Sequence, residues 1–180
     1  MKTFNLIING IGGQGIITLL TFVDEAAFIE GYDVKSSELH GLSQRGGSVE
    51  THVRFGKKVN SPLIPNGEVD LVISMELLEG LRGVQKAGKN TKFLINDWVS
   101  PFQGPLSSEE IKKQLALIKN EIYFLPASGI TSGVYILGYA VSKKMIPIKK
   151  ESALKAIDNM VPEKYKELNI KAFKLGYENK

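Results

Sequence analysis

The chain has 180 residues, of which 43% are hydrophobic and 23% charged, and its net charge is +4 at neutral pH. These values are ordinary for one folded domain with a single hydrophobic core. Because there is no cysteine, the sequence excludes a disulfide framework, a cysteine nucleophile, an iron–sulfur cluster held by this chain and a cysteine-ligated zinc site. With only two histidines, a metal site is not expected.

Strand and helix patterns alternate from the first residues onward. Short apolar runs are typical of buried parallel strands, and apolar residues three and four positions apart are typical of helices. Ser107 and Glu110 have the spacing of a capping box, which marks a helix start. In chain order the patterns predict a strand over 4–9, a helix over 16–30, strands over 32–36, 48–55 and 70–74, a helix over 75–87, a strand over 92–96, a helix over 107–119, a strand over 121–125, and helices over 132–145, 149–160 and 162–176.

This order predicts an α/β fold in a single domain spanning residues 1–180. We expect a three-layer α/β/α arrangement, with a mostly parallel, doubly wound, Rossmann-like sheet and a helical C-terminal part at about 132–177. The strand over 48–55 alternates apolar and polar residues, which predicts a half-buried strand with one polar face. His52 lies on that polar face, so we expect a structural or interfacial role for it.

The basic character of the chain is concentrated near its end. Residues 143–180 contain ten lysines and five acidic side chains, but the lysines follow helical spacing, which is typical of a solvated helix face. The start of the chain lacks the pattern of a secretory signal, and the weakly polar stretch 127–141 is too short to span a bilayer. We therefore expect a cytoplasmic protein that binds neither nucleic acid nor membrane.

The first motif with chemical content is a glycine loop between the first strand and the first helix. Its glycines have the G-x-G-x-x-G spacing, which lets the backbone approach a ligand and presents free helix N–H groups to a phosphate. A Walker motif is excluded because Ile16 and Ile17 follow the last glycine. A tight turn that binds no ligand remains the alternative. The candidate cofactor-binding residues here are Gly10, Gly12, Gly13, Gln14 and Gly15.

The second motif, residues 38–47, combines an acid, an imidazole, an amide, a guanidinium and glycines. It follows the second strand, so we expect it at the same carboxyl edge of the sheet as the glycine loop. Further candidate cofactor-binding residues are Glu38, His40, Gln44, Arg45, Gly46 and Gly47.

Each of these side chains has a functional and a structural interpretation. Arg45 suits a phosphate or carboxylate, or a surface ion pair with Glu38. Gln44 suits a ligand or partner backbone, or bracing of the loop, and His40 suits proton transfer or a bond to loop backbone. Glu38 also follows the glycine loop by about 20 residues, which is the sequence separation at which dinucleotide enzymes have the acid that binds the ribose. No nucleophile–base set emerges, so no catalytic residue is predicted.

A third loop follows the strand over 121–125. Ser128 and Ser132 each precede a glycine there, between a strand and a helix. They are candidates for the same sheet edge, but capping of the following helix is the favoured interpretation.

The two glycine-containing motifs together closely resemble the gamma-type subunit of 2-oxoacid:ferredoxin oxidoreductases, with the indolepyruvate type as the nearest branch. The resemblance extends over essentially the whole chain, and the second motif is its most specific part. The segments that carry it are 10–16, 31–34, 38–49, 52–54, 61–62 and 167–177.

The resemblance implies a subunit of a complex that oxidatively decarboxylates aryl-2-oxoacids to acyl-CoA and CO2 and passes electrons to ferredoxin. It implies that thiamine diphosphate and the 4Fe-4S clusters belong to a large alpha subunit, in agreement with the missing cysteines. It also implies that this chain shapes the site, with coenzyme A as its candidate ligand, and is inactive alone. Two alternatives stay open: a stand-alone NAD(P)- or FAD-dependent oxidoreductase, and a non-catalytic interface subunit.

Overall fold

The computed structural model describes residues 2–41, 46–101 and 106–179. It contains strands and helices in the predicted alternating order. In chain order these are β1 (Phe4–Ile11), α1 (Ile16–Ile29), β2 (Asp33–His40), β3 (Ser48–Gly56), β4 (Val69–Ser74), α2 (Leu77–Gly83), a 3-10 turn (Val84–Lys86), β5 (Ala87–Asn96), α3 (Ser108–Leu115), β6 (Ile122–Leu125), α4 (Ser132–Ser142), α5 (Lys150–Met160) and α6 (Glu163–Glu178).

The strands form one mixed sheet in the order β2-β3-β1-β4-β5-β6. β1, β4, β5 and β6 are parallel neighbours, whereas β3 runs antiparallel to both β1 and β2. β2 therefore points in the same direction as β1. The predicted α/β fold is confirmed, with β3 inserted as an antiparallel strand between β1 and β2.

Helices cover both faces of this sheet, which gives the predicted three layers. One core joins α1, α4, α5 and α6 to one face, where Ile8 and Ile73 are fully buried. The other core joins α2 and α3 to the opposite face through Ile7, Val72 and Phe93. Because successive residues of β1 and β4 alternate between the two cores, the middle of each strand is apolar on both faces, at 6–8 and 71–73.

α4 and α6 pack at close range through glycines. A Cβ on Gly138 would lie 2.1 Å from the carbonyl oxygen of Phe173, and a Cβ on Gly176 would lie 1.9 Å from that of Tyr135. Glycine at both positions lets the two backbones approach. None of the helices in the described part of the chain has the length and apolar composition needed to cross a bilayer.

Several element boundaries differ from the prediction for local reasons. β2 continues to His40 because it pairs residue by residue with β3, which carries it across polar side chains. α2 begins at Leu77 because the Glu76 side chain accepts hydrogen bonds from the N–H groups of Leu78 and Glu79. The capping box of Ser107 and Glu110 is confirmed at the start of α3, which ends at Leu115.

The prediction of a half-buried β3 was wrong on its polar face. His52 is only 2% exposed, and its Nδ1 accepts a hydrogen bond of 3.0 Å from the Ile64 N–H. Its Nε2 lies 3.0 Å from a carboxylate oxygen of Glu50. Arg54 donates to the carbonyl oxygens of Ser61 and Leu63. The segment after β3 therefore folds back over the polar face, and His52 has a structural role.

Candidate functional site

The glycine loop lies where the order of the sheet reverses. From β1 the chain passes through α1 to β2 on one side, whereas β4 leads through α2 to β5 on the other. In such sheets the crevice outside the carboxyl ends of the strands at this switch point is the usual ligand site. The ends of β1, β4, β5 and β6 meet at this crevice.

The glycines of this loop serve two different purposes. Gly13 and Gly15 have φ values of +99° and +76°, a backbone conformation that favours glycine. Gly10 is instead enclosed, since a Cβ there would lie 2.5 Å from the Gln14 side-chain oxygen and 2.8 Å from the Met75 Cβ. Gln14 braces the turn, because its side-chain oxygen accepts a 2.7 Å hydrogen bond from the Ile11 N–H.

A cleft of about 500 Å³ opens beside the glycine loop. Trp98 and Ile130 are 44% and 85% exposed and supply apolar surface at its wall. Its lining comes from the loops that follow β1, β4, β5 and β6: Gly13, Gln14, Gly15, Met75, Asn96, Trp98, Ala127, Ser128, Gly129, Ile130 and Ser132. The sequence prediction missed Met75, Asn96 and Trp98, although their position directly after parallel strands was the available signal.

Two helices begin at this cleft without a side-chain cap. Gly15 precedes α1 and Thr131 precedes α4, and neither makes a side-chain capping hydrogen bond. The predicted cap by Ser128 or Ser132 was therefore wrong, and both serines line the cleft instead. α2 and α3 are capped by Glu76 and Ser107, whereas α5 and α6, whose first residues do not line this cleft, also have no side-chain cap. Uncapped N–H groups and the helix dipole make the two open ends suitable for an anion.

The two ends of the second motif lie in different surroundings: residues 38–40 belong to β2, whereas Gly47 contacts the glycine loop. Glu38 is an exposed residue of β2, and the backbone of His40 pairs with Val49 as the last residue of that strand. Gln44 and Arg45 lie outside the described residues. Gly46 has a φ of +65°, and the Gly47 carbonyl oxygen accepts a 2.9 Å hydrogen bond from the Gly12 N–H. The end of the second motif therefore contacts the glycine loop, as expected for a common sheet edge.

Glu38 is not next to the glycine loop. It pairs with Thr51 of β3, which on its other side pairs with Ile8 of β1. Glu38 is thus level with Ile8 and separated from β1 by a strand, on the order of 10 Å in the hydrogen-bonding direction. This position does not match that of the ribose-binding acid in dinucleotide enzymes.

A buried polar cluster lies behind the glycine loop. The Ser74 hydroxyl donates to the Asn9 side-chain oxygen, and the Asn9 amide donates to the Glu79 carbonyl oxygen at 2.8 Å. Ser48 donates a 2.6 Å hydrogen bond to the Glu79 carboxylate, which is also bonded to Arg82. Burial raises the pKa of Glu76 above its usual range, more than the two N–H groups it caps lower it.

In the described ranges, no group of three or more histidine, aspartate and glutamate side chains is placed to hold a metal ion. The two helix starts at the cleft suit phosphate or another anion, and Trp98 and Ile130 offer a surface for a flat or apolar group.

These features define a Rossmann-like α/β domain with a cleft suited to an anionic ligand at its switch point. The chain belongs to the pyruvate ferredoxin/flavodoxin oxidoreductase family, whose family model matches residues 5–179. The resemblance identified from the two sequence motifs is thereby confirmed.

Named relatives agree with this assignment. The indolepyruvate oxidoreductase subunit IorB of Pyrococcus horikoshii is 34% identical, over 98% of this chain and 95% of that protein. The pyruvate oxidoreductase subunit PORC of Thermotoga maritima has the same fold, with a TM-score of 0.75 at 21% identity over 99% of this chain and 97% of its own. The chain is thus homologous to subunits of 2-oxoacid:ferredoxin oxidoreductases.

A third solved structure has the same fold inside a longer chain. The 2-oxoglutarate:ferredoxin oxidoreductase of Magnetococcus marinus, solved with 2-oxoglutarate, coenzyme A and succinyl-CoA bound, matches 98% of this chain and 30% of its own. The TM-score is 0.73 at 17% identity.

Proposed function

We propose that this chain is the small subunit of a cytoplasmic 2-oxoacid:ferredoxin oxidoreductase of the indolepyruvate type. The complex would oxidatively decarboxylate an aryl-2-oxoacid to acyl-CoA and CO2, with ferredoxin as electron acceptor. The support is family membership over residues 5–179 and 34% identity to an indolepyruvate oxidoreductase subunit.

Within that complex, we propose that the cleft binds the phosphate-bearing part of coenzyme A. The observation that carries this proposal is that α1 and α4 both begin, uncapped, at one cleft. Gly13 and Gly15 line the cleft before the start of α1 and carry no side chain, and the space around both is open. Coenzyme A is also bound in the Magnetococcus marinus relative.

The division of labour follows from the side chains available. We propose that thiamine diphosphate and the 4Fe-4S clusters are held by a large partner subunit, because this chain has no cysteine to hold a cluster. The role of this chain is to bind coenzyme A and to shape the active site of the complex. Gln44 and Arg45 remain proposed ligand or interface residues, and we assign no proton transfer to His40.

The stand-alone NAD(P) or FAD enzyme is the weaker alternative. It requires an acid beside the first strand to bind the ribose hydroxyls. β3 occupies that neighbouring position, and Glu38 lies beyond it and level with Ile8. The glycine spacing therefore lacks its usual partner residue.

A purely interfacial role for this edge is the second candidate. Trp98 and Ile130 are large apolar side chains at the cleft wall, 44% and 85% exposed, and a partner subunit would cover them favourably. The two hypotheses, an interface and a coenzyme A site, predict different effects of the substitution Arg45→Ala. Loss of a phosphate contact raises the KM for coenzyme A, whereas loss of an interface contact weakens subunit association.

The test is reconstitution of the complex. The chain should be inactive alone with indolepyruvate, thiamine diphosphate, coenzyme A and a viologen acceptor, and activity should appear when a co-expressed large partner subunit is present. Full activity of the isolated chain would contradict the proposal. Tight NADH binding by the isolated chain, with no effect of coenzyme A in calorimetry, would favour the dinucleotide enzyme.

A further inference from the structure

Glu79 is a fully enclosed carboxylate in the first turn of α2, directly behind the glycine loop. The residue is 1% exposed. One carboxylate oxygen accepts a 2.6 Å hydrogen bond from the Ser48 hydroxyl, and the other is bonded to Arg82. A buried carboxylate is costly unless it is paired and hydrogen-bonded, so these contacts keep it in place.

Capping of α2 does not explain this side chain. Glu76 already accepts hydrogen bonds from the N–H groups of Leu78 and Glu79, which satisfies the start of the helix. What the Glu79 carboxylate adds is a connection across the sheet edge to Ser48, which is the first residue of β3 and follows the second motif directly.

Glu79 is connected to both glycine-containing segments. Its carbonyl oxygen accepts from the side-chain amide of Asn9, the residue before Gly10. Its carboxylate holds Ser48, and the neighbouring Gly47 accepts the Gly12 N–H at 2.9 Å. The backbones of β1 and β3 already pair here, with Ile11 opposite Ser48. Glu79 adds side-chain and carbonyl contacts from α2 to both of these segments.

We propose that Glu79 is a positioning residue: through Ser48 it reinforces the backbone pairing that holds Gly46–Ser48 against the glycine loop, and thereby supports the affinity of the site for its anionic ligand. The identity of that ligand, coenzyme A, rests on the proposed function. The geometric part of the proposal does not.

The kinetic test uses the assembled complex and substitutions at Ser48, which is exposed, so that its substitution leaves the hydrophobic core intact. Ser48→Ala removes the hydrogen bond to Glu79 and should raise the KM for coenzyme A about tenfold, with kcat at saturation within about twofold. Ser48→Thr keeps the hydroxyl and should restore the wild-type KM. Glu79→Gln removes the charge and should raise the KM in the same direction.

The matched control is another serine–glutamate pair in the described part of the chain. Ser107 donates a 2.7 Å hydrogen bond to Glu110 in the exposed capping box of α3. Ser107→Ala removes the same kind of bond away from the cleft and should leave the KM for coenzyme A unchanged. An equal rise of KM in Ser107→Ala and Ser48→Ala would overturn the proposal, because general destabilisation would then explain both.

Amide hydrogen exchange tests the geometry without coenzyme A. In the isotope-labelled full chain, Ser48→Ala should speed exchange of the Gly12 amide several-fold, because the segment that carries its acceptor on Gly47 has lost its contact with Glu79. The amide of Val72, a fully buried residue of β4, serves as the internal reference. Unchanged exchange at Gly12 would overturn the positioning role of Glu79. A wild-type complex whose activity did not depend on coenzyme A would contradict the proposed function, but not this positioning role.

Discussion

Gly10 at the end of β1 and Met75 just beyond β4 are so close that a Cβ on Gly10 would lie 2.8 Å from the Met75 Cβ. The first glycine of the G-x-G-x-x-G spacing is thus required by packing at the switch point. Gly13 and Gly15 are required by their positive φ values instead. The spacing alone does not separate these causes, and of these three glycines only Gly13 and Gly15 line the cleft.

Gly10→Ala should destabilise the fold. The added methyl group would press on Met75 and on the Gln14 oxygen that braces the loop, and overpacking of this kind costs about 1–3 kcal/mol. Gly12→Ala is the matched control, since its Cβ would meet its nearest neighbour at 3.7 Å. Urea unfolding of both variants checks this. Equal stability of the two would show that Met75 yields without cost.

Gly176→Ala should disrupt the contact between α4 and α6. Its Cβ would lie 1.9 Å from the Tyr135 carbonyl oxygen, which is backbone and has little freedom to move. We expect a loss of at least about 2 kcal/mol in the free energy of unfolding, measured by urea denaturation. Leu175→Ala, at a neighbouring position that is 54% exposed, should cost far less. If the Leu175 variant lost more stability than the Gly176 variant, the glycine contact would not be a determinant of this packing.

The parts of the fold that depend on local patterns were predictable from the sequence. The capping box of Ser107 and Glu110, and the apolar strands, are encoded within a few residues. The burial of His52 was not predictable, because its partner is the N–H of Ile64, twelve residues away in a segment without regular structure. Alternation indicates which side chains share a face, but not what later covers that face.

The residues of the candidate site also separate into those that local sequence predicts and those that depend on distant parts of the chain. Glycines 10–15 were found because their spacing is local and repeats a known turn. Trp98 and Met75 reach the cleft only because β4 lies beside β1 and β5 lies beside β4, all parallel, which is a property of strand order. Glu38 was misplaced for a related reason, since the insertion of β3 between β1 and β2 moves it away from the glycine loop.

Asp24→Asn should stabilise the chain at neutral pH. Asp24 lies on α1, and one carboxylate oxygen accepts a 2.6 Å hydrogen bond from Ser36, whereas the other is buried without a partner among the described residues. Burial raises the pKa of Asp24, and the Ser36 bond opposes this only in part. The folded state therefore binds this proton more tightly than the unfolded chain. Protonated Asp24 therefore stabilises the fold below the ordinary pKa of aspartate. This contribution is lost as the pH rises through the raised pKa of Asp24 in the folded state.

The side-chain amide introduced by Asp24→Asn would be neutral at every pH, so its advantage should amount to about 1 kcal/mol at pH 7 and shrink toward about pH 4. Urea unfolding across this pH range measures the difference. Glu167→Gln, at an exposed position of α6, is the control and should change stability little. A gain for Asp24→Asn that stays constant with pH would contradict the assignment.

Trp98 offers a direct measurement of ligand binding, because it is the single tryptophan of the chain and lies in the cleft at 44% exposure. Coenzyme A should change its fluorescence on titration into the chain or the assembled complex, and Trp98→Phe should remove the signal. Pantetheine, which lacks phosphates, should give no response at the same concentration. Added salt should weaken the response to coenzyme A, since the interaction with the helix N-termini is electrostatic.

Ile17→Glu separates anion binding from stability. Ile17 is the second residue of α1 and 38% exposed, so a carboxylate there would interact favourably with the helix dipole while repelling a bound phosphate. The variant should unfold at an equal or higher urea concentration, yet bind coenzyme A about tenfold more weakly in the Trp98 assay. Leu117→Glu adds the same charge at an exposed position beyond α3 and should leave binding unchanged. Equal affinities of the two variants would mean that the phosphates of coenzyme A do not lie at the start of α1.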